Sequence, residues 1–279
     1  MAIRWFQMEM NRKSLAILVA VALCTFLPPI TSVPFPQEDT PLVIREVISQ
    51  TSAEYLWLSP VVHVATVVLL FLLYRYGQKM GRVVDAYFGI LFLFFAFSQN
   101  IARTESYGLA VITGNLVMIL TVGLFWMWEV FRPRNEYLFQ RLPVWRYWVV
   151  PFAILAFWFP VNADMSPNLS PLLLLTSSFG VLFCPTTPVV IAILTLIFPT
   201  VNRPLLRVTS FVGLLMGLFN AMSLFVMPGY TLWLLFLHTP LILISLYGLL
   251  ISLQRTELSV TRKPGSTQES ERARKVSRL

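Results

Sequence analysis

His63, Asn100, Asn115, Cys184, Thr186, Thr187, Asn220 and His238 are polar or nucleophilic residues that fall inside strongly apolar stretches of this 279-residue chain. A polar group in hydrocarbon is costly unless it faces protein or water, so such positions are the first candidates for binding. With a rise of about 1.5 Å per residue, His63, Asn115, Asn220 and His238 lie about 8 to 12 Å from the outer ends of four different predicted helices. Ser98, Gln99 and Asn100 sit closer to that face and would form a rim. Among these stretches, 170–199 stands apart because it carries Ser177, Ser178, Gly180, Cys184, Pro185, Thr186, Thr187 and Pro188 at its middle. Thr187 before Pro188 reads as a helix N-cap followed by proline at the first helical position. A helix running from there to Pro199 would cross little more than half a bilayer, placing its positive end at the depth of the histidine and asparagine band.

Such an arrangement suits an outward-facing pocket for a small dipolar or anionic solute. Asn and Thr would supply hydrogen bonds, and the histidines pH-sensitive ones. The same residues also fit plain packing, since polar bonds between membrane helices contribute only about 0.6 kcal/mol each on average and are common. A metal site is poorly supported: His63, His238 and Cys184 form no local pair of the His-x-x-x-His or Cys-x-x-Cys kind. No glycine-rich phosphate loop, nucleophile elbow or twin-carboxylate motif appears, and no cofactor is indicated. Glu129, near Arg132 and Arg134, reads as an interfacial charge. Two other classes stay open: a membrane-embedded enzyme using Cys184 or a histidine, and a non-catalytic scaffold or assembly partner.

The elements that must position these groups follow from composition. Apolar residues make up 57% of the chain and charged ones 12%, with mean hydropathy +0.72. Soluble domains carry about 45–50% and about 25%. The expectation is therefore an all-α polytopic bundle of about eight spans, at 14–33, 58–75, 83–102, 107–129, 148–161, 170–199, 207–226 and 231–253, with the sixth broken or kinked. If the N-terminus is cytoplasmic, all 21 Lys and Arg residues except Arg45 and Arg103 fall inside, and the C-terminus is cytoplasmic too. That asymmetry accounts for the net charge of +8 without nucleic acid as a partner. The implied environment is the lipid bilayer of the plasma membrane.

Segment 1–33 reads as a signal anchor, or as a signal peptide whose removal would leave seven spans. Residues 34–57 form an outer-side linker with an amphipathic stretch at 41–56, 58–255 the helical domain, and 256–279 a basic, disordered cytoplasmic tail. The acidic residues Glu38, Asp39, Glu46, Glu54, Glu105 and Asp164 fall mostly outside. Trp57, Tyr107, Trp126, Trp128, Trp145, Tyr147, Trp148 and Tyr230 flank the spans as an aromatic belt. Cys24 and Cys184 both lie in apolar runs, so no disulfide framework is read.

The run Phe179, Gly180, then Cys184, Pro185, Thr186, Thr187 resembles a segment found in a family of uncharacterised prokaryotic multispanning membrane proteins. The neighbourhoods of Tyr55, Pro60, Asn100 and Gly213, Gly217, Asn220 point the same way, over roughly residues 40–253. Leu182 and Phe183 lengthen the gap and Pro188 follows the threonines, which departs from that family's pattern. The resemblance implies a shared structural feature at 184–187 and carries no activity with it.

Overall fold

A computed structural model describes residues 12–139, 141–162, 165–226 and 230–254. Arg4, Asp164, the first eleven residues and the basic tail 256–279 lie outside them. Of the described residues, 73% are helical and 6% are strand. Ten α-helices are described: α1 (Arg12–Cys24), α2 (Thr40–Tyr55), α3 (Ser59–Tyr76), α4 (Gly81–Ser98), α5 (Thr113–Phe131), α6 (Val149–Trp158), α7 (Leu173–Thr176), α8 (Phe183–Leu196), α9 (Arg203–Val226) and α10 (Leu232–Leu253).

Among the described residues, four helical stretches are long and apolar enough to cross a membrane: Gln37–Ser98, Thr113–Phe131, Arg203–Val226 and Leu232–Leu253. The first contains both α3 and α4, and the Tyr87 hydroxyl on α4 bonds Val62 and Thr66 on α3, so the chain reverses between them. Of the about eight spans expected, with the sixth broken or kinked, those outside these stretches fall on shorter described helices. Helix α1 has 13 residues, α6 has 10 and α8 has 14, or about 15 to 21 Å against about 30 Å of hydrocarbon. Prolines set several of these limits by removing an N–H and restricting the preceding residue: Pro28, Pro133, Pro160 and Pro199 all follow closely on helix ends.

The all-α expectation is corrected at one end of the bundle. There β1 (Ile30–Thr31), β2 (Ile101–Thr104) and β3 (Gly108–Val111) form an antiparallel sheet in the order β1-β3-β2. Its strands take up the ends of what read as spans at 14–33, 83–102 and 107–129. Helix α2 covers the sheet through Val43 and Val47, one turn apart, against Ala110 and Ile112. We call this the sheet end. At the opposite, basic end lie the 77–80 turn, the 132–139 segment and the 199–202 turn, joined by hydrogen bonds among Gln78, Asn135 and Asn202.

Between the ends, the main core packs Phe88, Phe92 and Phe95 of α4 against Trp126 of α5 and Phe183 of α8. Trp126 is fully buried, with its indole N–H donated to Thr209, which removes it from the aromatic belt; Trp57, Trp128, Trp145 and Tyr147 remain exposed. Helices α9 and α10 meet in a reciprocal fit. A Cβ on Gly213 would come within 2.5 Å of the Ser245 hydroxyl, and one on Gly248 within 2.4 Å of the Ser210 hydroxyl. Both hydroxyls are buried with no hydrogen-bond partner. Because an unsatisfied hydroxyl costs free energy that a methyl would not, Ser210→Ala is expected to be neutral or to stabilise by up to about 1 kcal/mol. Gly213→Ala should lower the melting temperature. Thermal unfolding of the two purified variants checks the contrast.

Candidate functional site

The interrupted segment around α8 brings polar groups into the middle of the apolar fold. Helix α8 begins at Phe183, five residues before the expected start. Thr187 is therefore not an N-cap; it lies in the second turn, and its hydroxyl donates to the Phe183 carbonyl at 2.8 Å. Pro188 sits inside the helix. The cap comes from another helix: the side-chain carbonyl of Gln99, just past α4, accepts the Phe183 N–H at 2.9 Å. The amide that a bound anion would need is thus already engaged. Thr186 accepts the Gly180 N–H at 2.8 Å and donates to the Leu182 carbonyl at 2.7 Å, closing the turn that leads into the helix.

His63 is fully buried on α3 and fully bonded. Its Nδ1 lies 2.8 Å from the Ser59 carbonyl, and its Nε2 lies 3.1 Å from the Ser177 hydroxyl. The Ser177 hydroxyl donates to the Phe157 carbonyl at 3.0 Å, so the imidazole is held among the Ser59 carbonyl, the Ser177 oxygen and the Phe157 carbonyl. Ser59 in turn donates to the Ser177 carbonyl, and Phe157 and Phe179 wall the imidazole at 4.6 and 5.1 Å between ring centroids. This side chain rivets α3 to the 177–180 turn.

Asn100 is likewise engaged, donating to the Phe95 and Ala96 carbonyls at the end of α4 while its backbone carbonyl accepts from Ile112. Its side-chain oxygen is buried without a partner. Asn115 is half-buried near the start of α5.

A different grouping forms where α8, α9 and α10 meet. The Asn220 amide donates to the Cys184 sulfur at 3.4 Å and to the Met216 carbonyl at 2.8 Å. His238 Nδ1 lies 2.7 Å from the Leu234 carbonyl and 3.2 Å from the Tyr230 hydroxyl. Burial pushes the Tyr230 hydroxyl above the usual phenol range. Three of the sequence-derived candidates, Cys184, Asn220 and His238, therefore sit on the packed helices α8, α9 and α10 in two bonded pairs, Asn220 with Cys184 and His238 with Tyr230, which reads in the sequence only as a belt residue. Among the described residues, Asn220 Oδ1 and His238 Nε2 make no hydrogen bond. With Nδ1–H committed to Leu234, Nε2 carries a lone pair, so the group offers two acceptors and one phenolic donor.

The basic end holds a polar knot that the candidate residues do not include. Glu129 is fully buried, not interfacial: its carboxylate accepts from the Arg134 and Asn135 backbone N–H groups and from the Asn202 amide. Asp85, also buried, accepts from Tyr137 at 2.6 Å and from Asn135 at 3.0 Å. Gln78 clamps the same segment, donating to the Asn135 carbonyl and accepting the Tyr137 N–H. Burial first, then the charge of Asp85, hold the Tyr137 hydroxyl well above its ordinary range, so it stays a donor. A signal for this knot existed in Asp85, a carboxylate within an apolar run. A depression of about 280 Å³ opens beside it, lined by Gln78, Arg134, Asn135 and Glu136. Among the described residues, no three His, Cys, Asp or Glu side chains gather as a metal site would require.

Comparison with protein-family models, curated proteins and solved structures found no match for the chain.

Proposed function

We propose that this chain is a multi-pass protein of the cell membrane, with its basic end and C-terminus cytoplasmic, that binds and passes a small solute at the Cys184, Asn220, Tyr230 and His238 cluster. In this reading the short helices α1, α6 and α8 complete an eight-span path together with the longer ones. Their ends alternate between the sheet end and the basic end, as such a path requires. Residues 184–187 are then a structural feature held in common with the uncharacterised prokaryotic family they resemble.

The observation that carries the proposal is the placing of two polar pairs, Asn220 with Cys184 and His238 with Tyr230, among the packed helices α8, α9 and α10, with Asn220 Oδ1 and His238 Nε2 unused among the described residues. Acceptors in apolar surroundings favour a guest with N–H or O–H donors, such as an amine, amide or alcohol. That differs from the anionic guest suggested by a bare helix start, because Gln99 occupies the Phe183 amide.

The test is thermal unfolding of the purified protein against a panel of small amines, amides and alcohols. A solute present at about 100 times its Kd stabilises by about 2.7 kcal/mol. Asn220→Ala should fold, since one such bond contributes about 0.6 kcal/mol, yet lose most of that shift, as should His238→Phe. If no solute stabilises the wild type, or if the variants respond as the wild type does, the reading fails.

A further inference from the structure

Arg207 is a second polar side chain placed where the apolar fold does not explain it. It lies one turn into α9 at the basic end and is only 6% exposed. A guanidinium carries five N–H donors, and a buried one is normally paired with an anion. Here one bond is made to protein, from Nη2 to the Ser252 carbonyl at 2.8 Å, and Nε is buried with no partner. No carboxylate among the described residues pairs with it. Glu129 of neighbouring α5 is taken up by Arg134, Asn135 and Asn202. The charge close enough to act on Arg207 is a like one, Arg203.

Both guanidiniums sit at the start of a 24-residue helix and each donates one N–H to a carbonyl at the C-terminal end of α10, Arg203 to Gln254 at 2.7 Å and Arg207 to Ser252, which leaves their remaining N–H groups to be satisfied. Beside Arg207 runs a slot of about 20 Å³ among α1, α5 and α9, lined by Ser14, Ile17, Leu18, Phe125, Pro204 and Val208. That space holds one oxygen atom, not a whole phosphate, and apart from Ser14 its walls are apolar.

We propose that Arg207, with Arg203, binds a phosphate-type anion at the mouth of this slot, one anionic oxygen reaching Nε, and that an acidic phospholipid headgroup supplies it. The guanidinium fork matches a phosphate oxygen pair, and the apolar walls of α1 and α9 continue into surface that an acyl chain covers. The site is separate from the Cys184 cluster and does not depend on solute binding there.

The experiment compares the full-length protein in nanodiscs of phosphatidylcholine, of phosphatidylcholine with phosphatidylglycerol, and of phosphatidylcholine with inorganic phosphate in the buffer, reading melting temperature and the lipid retained in native mass spectra. Phosphatidylglycerol is expected to raise the melting temperature and to be retained. Arg207→Gln should weaken retention about tenfold, the scale of one hydrogen bond to a charged group. Arg203→Gln, at a half-exposed position, should weaken it by a smaller factor and covers the case in which Arg207→Gln does not fold. Arg82→Gln, an exposed charge outside the slot, should leave it unchanged. If inorganic phosphate reproduces the whole shift, the anion site stands but the lipid as its source is overturned. Equal loss from Arg82→Gln and Arg203→Gln, or no response to either anion, overturns the site.

Discussion

Glu129→Leu is expected to destabilise the protein by about 3 kcal/mol, lowering the melting temperature by about 6 to 12 °C. Leucine fills the space but accepts nothing, so the Asn135 N–H, the Arg134 N–H and the Asn202 amide lose their acceptor together. A buried donor left unpaired costs about 1–3 kcal/mol. The full amount applies to the Asn135 N–H, whose residue is buried, and less to those of exposed Arg134 and half-buried Asn202. Asn135 also bridges to Asp85, so the effect should spread across the knot. Asp85→Asn combined with Glu129→Leu should then cost less than the sum of the single changes. A site-specific readout accompanies the melting curve: trypsin should cut at Arg134 faster in Glu129→Leu than in wild type. Unchanged melting and unchanged cleavage would show that the 132–139 segment is held by something other than this carboxylate.

The second large effect is expected at Gly180, whose backbone adopts φ +76°, a conformation that side chains rarely tolerate. A Cβ there would also meet Val62 Cγ1 at 2.1 Å and Val62 Cβ at 2.7 Å, closer than carbon atoms approach. Gly180→Ala therefore combines about 1–2 kcal/mol of backbone strain with displacement of α3. We expect a total loss of about 3–5 kcal/mol. The displacement would pull Ser59 and His63 away from Ser177 and loosen the turn that Thr186 closes, which spreads damage toward Cys184. Adding Val62→Ala to Gly180→Ala should recover part of the steric loss but none of the strain. Complete recovery, or no loss in the single variant, would mean that the turn before α8 does not need this geometry.

These two positions illustrate how differently the sequence exposes its content. Gly180 was visible in the Phe-Gly and Cys-Pro-Thr-Thr run, and so was an interruption of the sixth apolar stretch. The start of α8 was misplaced because a Thr-Pro pair carries a strong local N-cap signal, whereas the actual cap, Gln99, arrives from 84 residues away in the chain. Glu129 read as an interfacial charge because Arg132 and Arg134 follow it. Its acceptor role depends on the backbone of 134–135 folding back, together with Asn202 from a different turn. The sheet escaped notice because the ends of three apolar runs were counted as helix, although strand-forming Ile, Val and Thr occupy them.

From the sequence alone come the membrane-type composition, the positions of most helices, the crowding of basic residues into alternate connections and the polar irregularity at 170–188. All of these are local or additive properties of the chain. Only the tertiary structure decided that Cys184 meets Asn220, that His238 pairs with Tyr230, that His63 is spent on Ser59 and Ser177, and that Arg207 is buried without a carboxylate partner among the described residues. The reason lies in the faces of the helices. In a soluble protein an apolar stripe opposite a polar one sets the rotation of each helix, but here outward-facing and core-facing sides are both apolar. Rotation, and with it which polar groups meet, is set by packing between segments far apart in the chain.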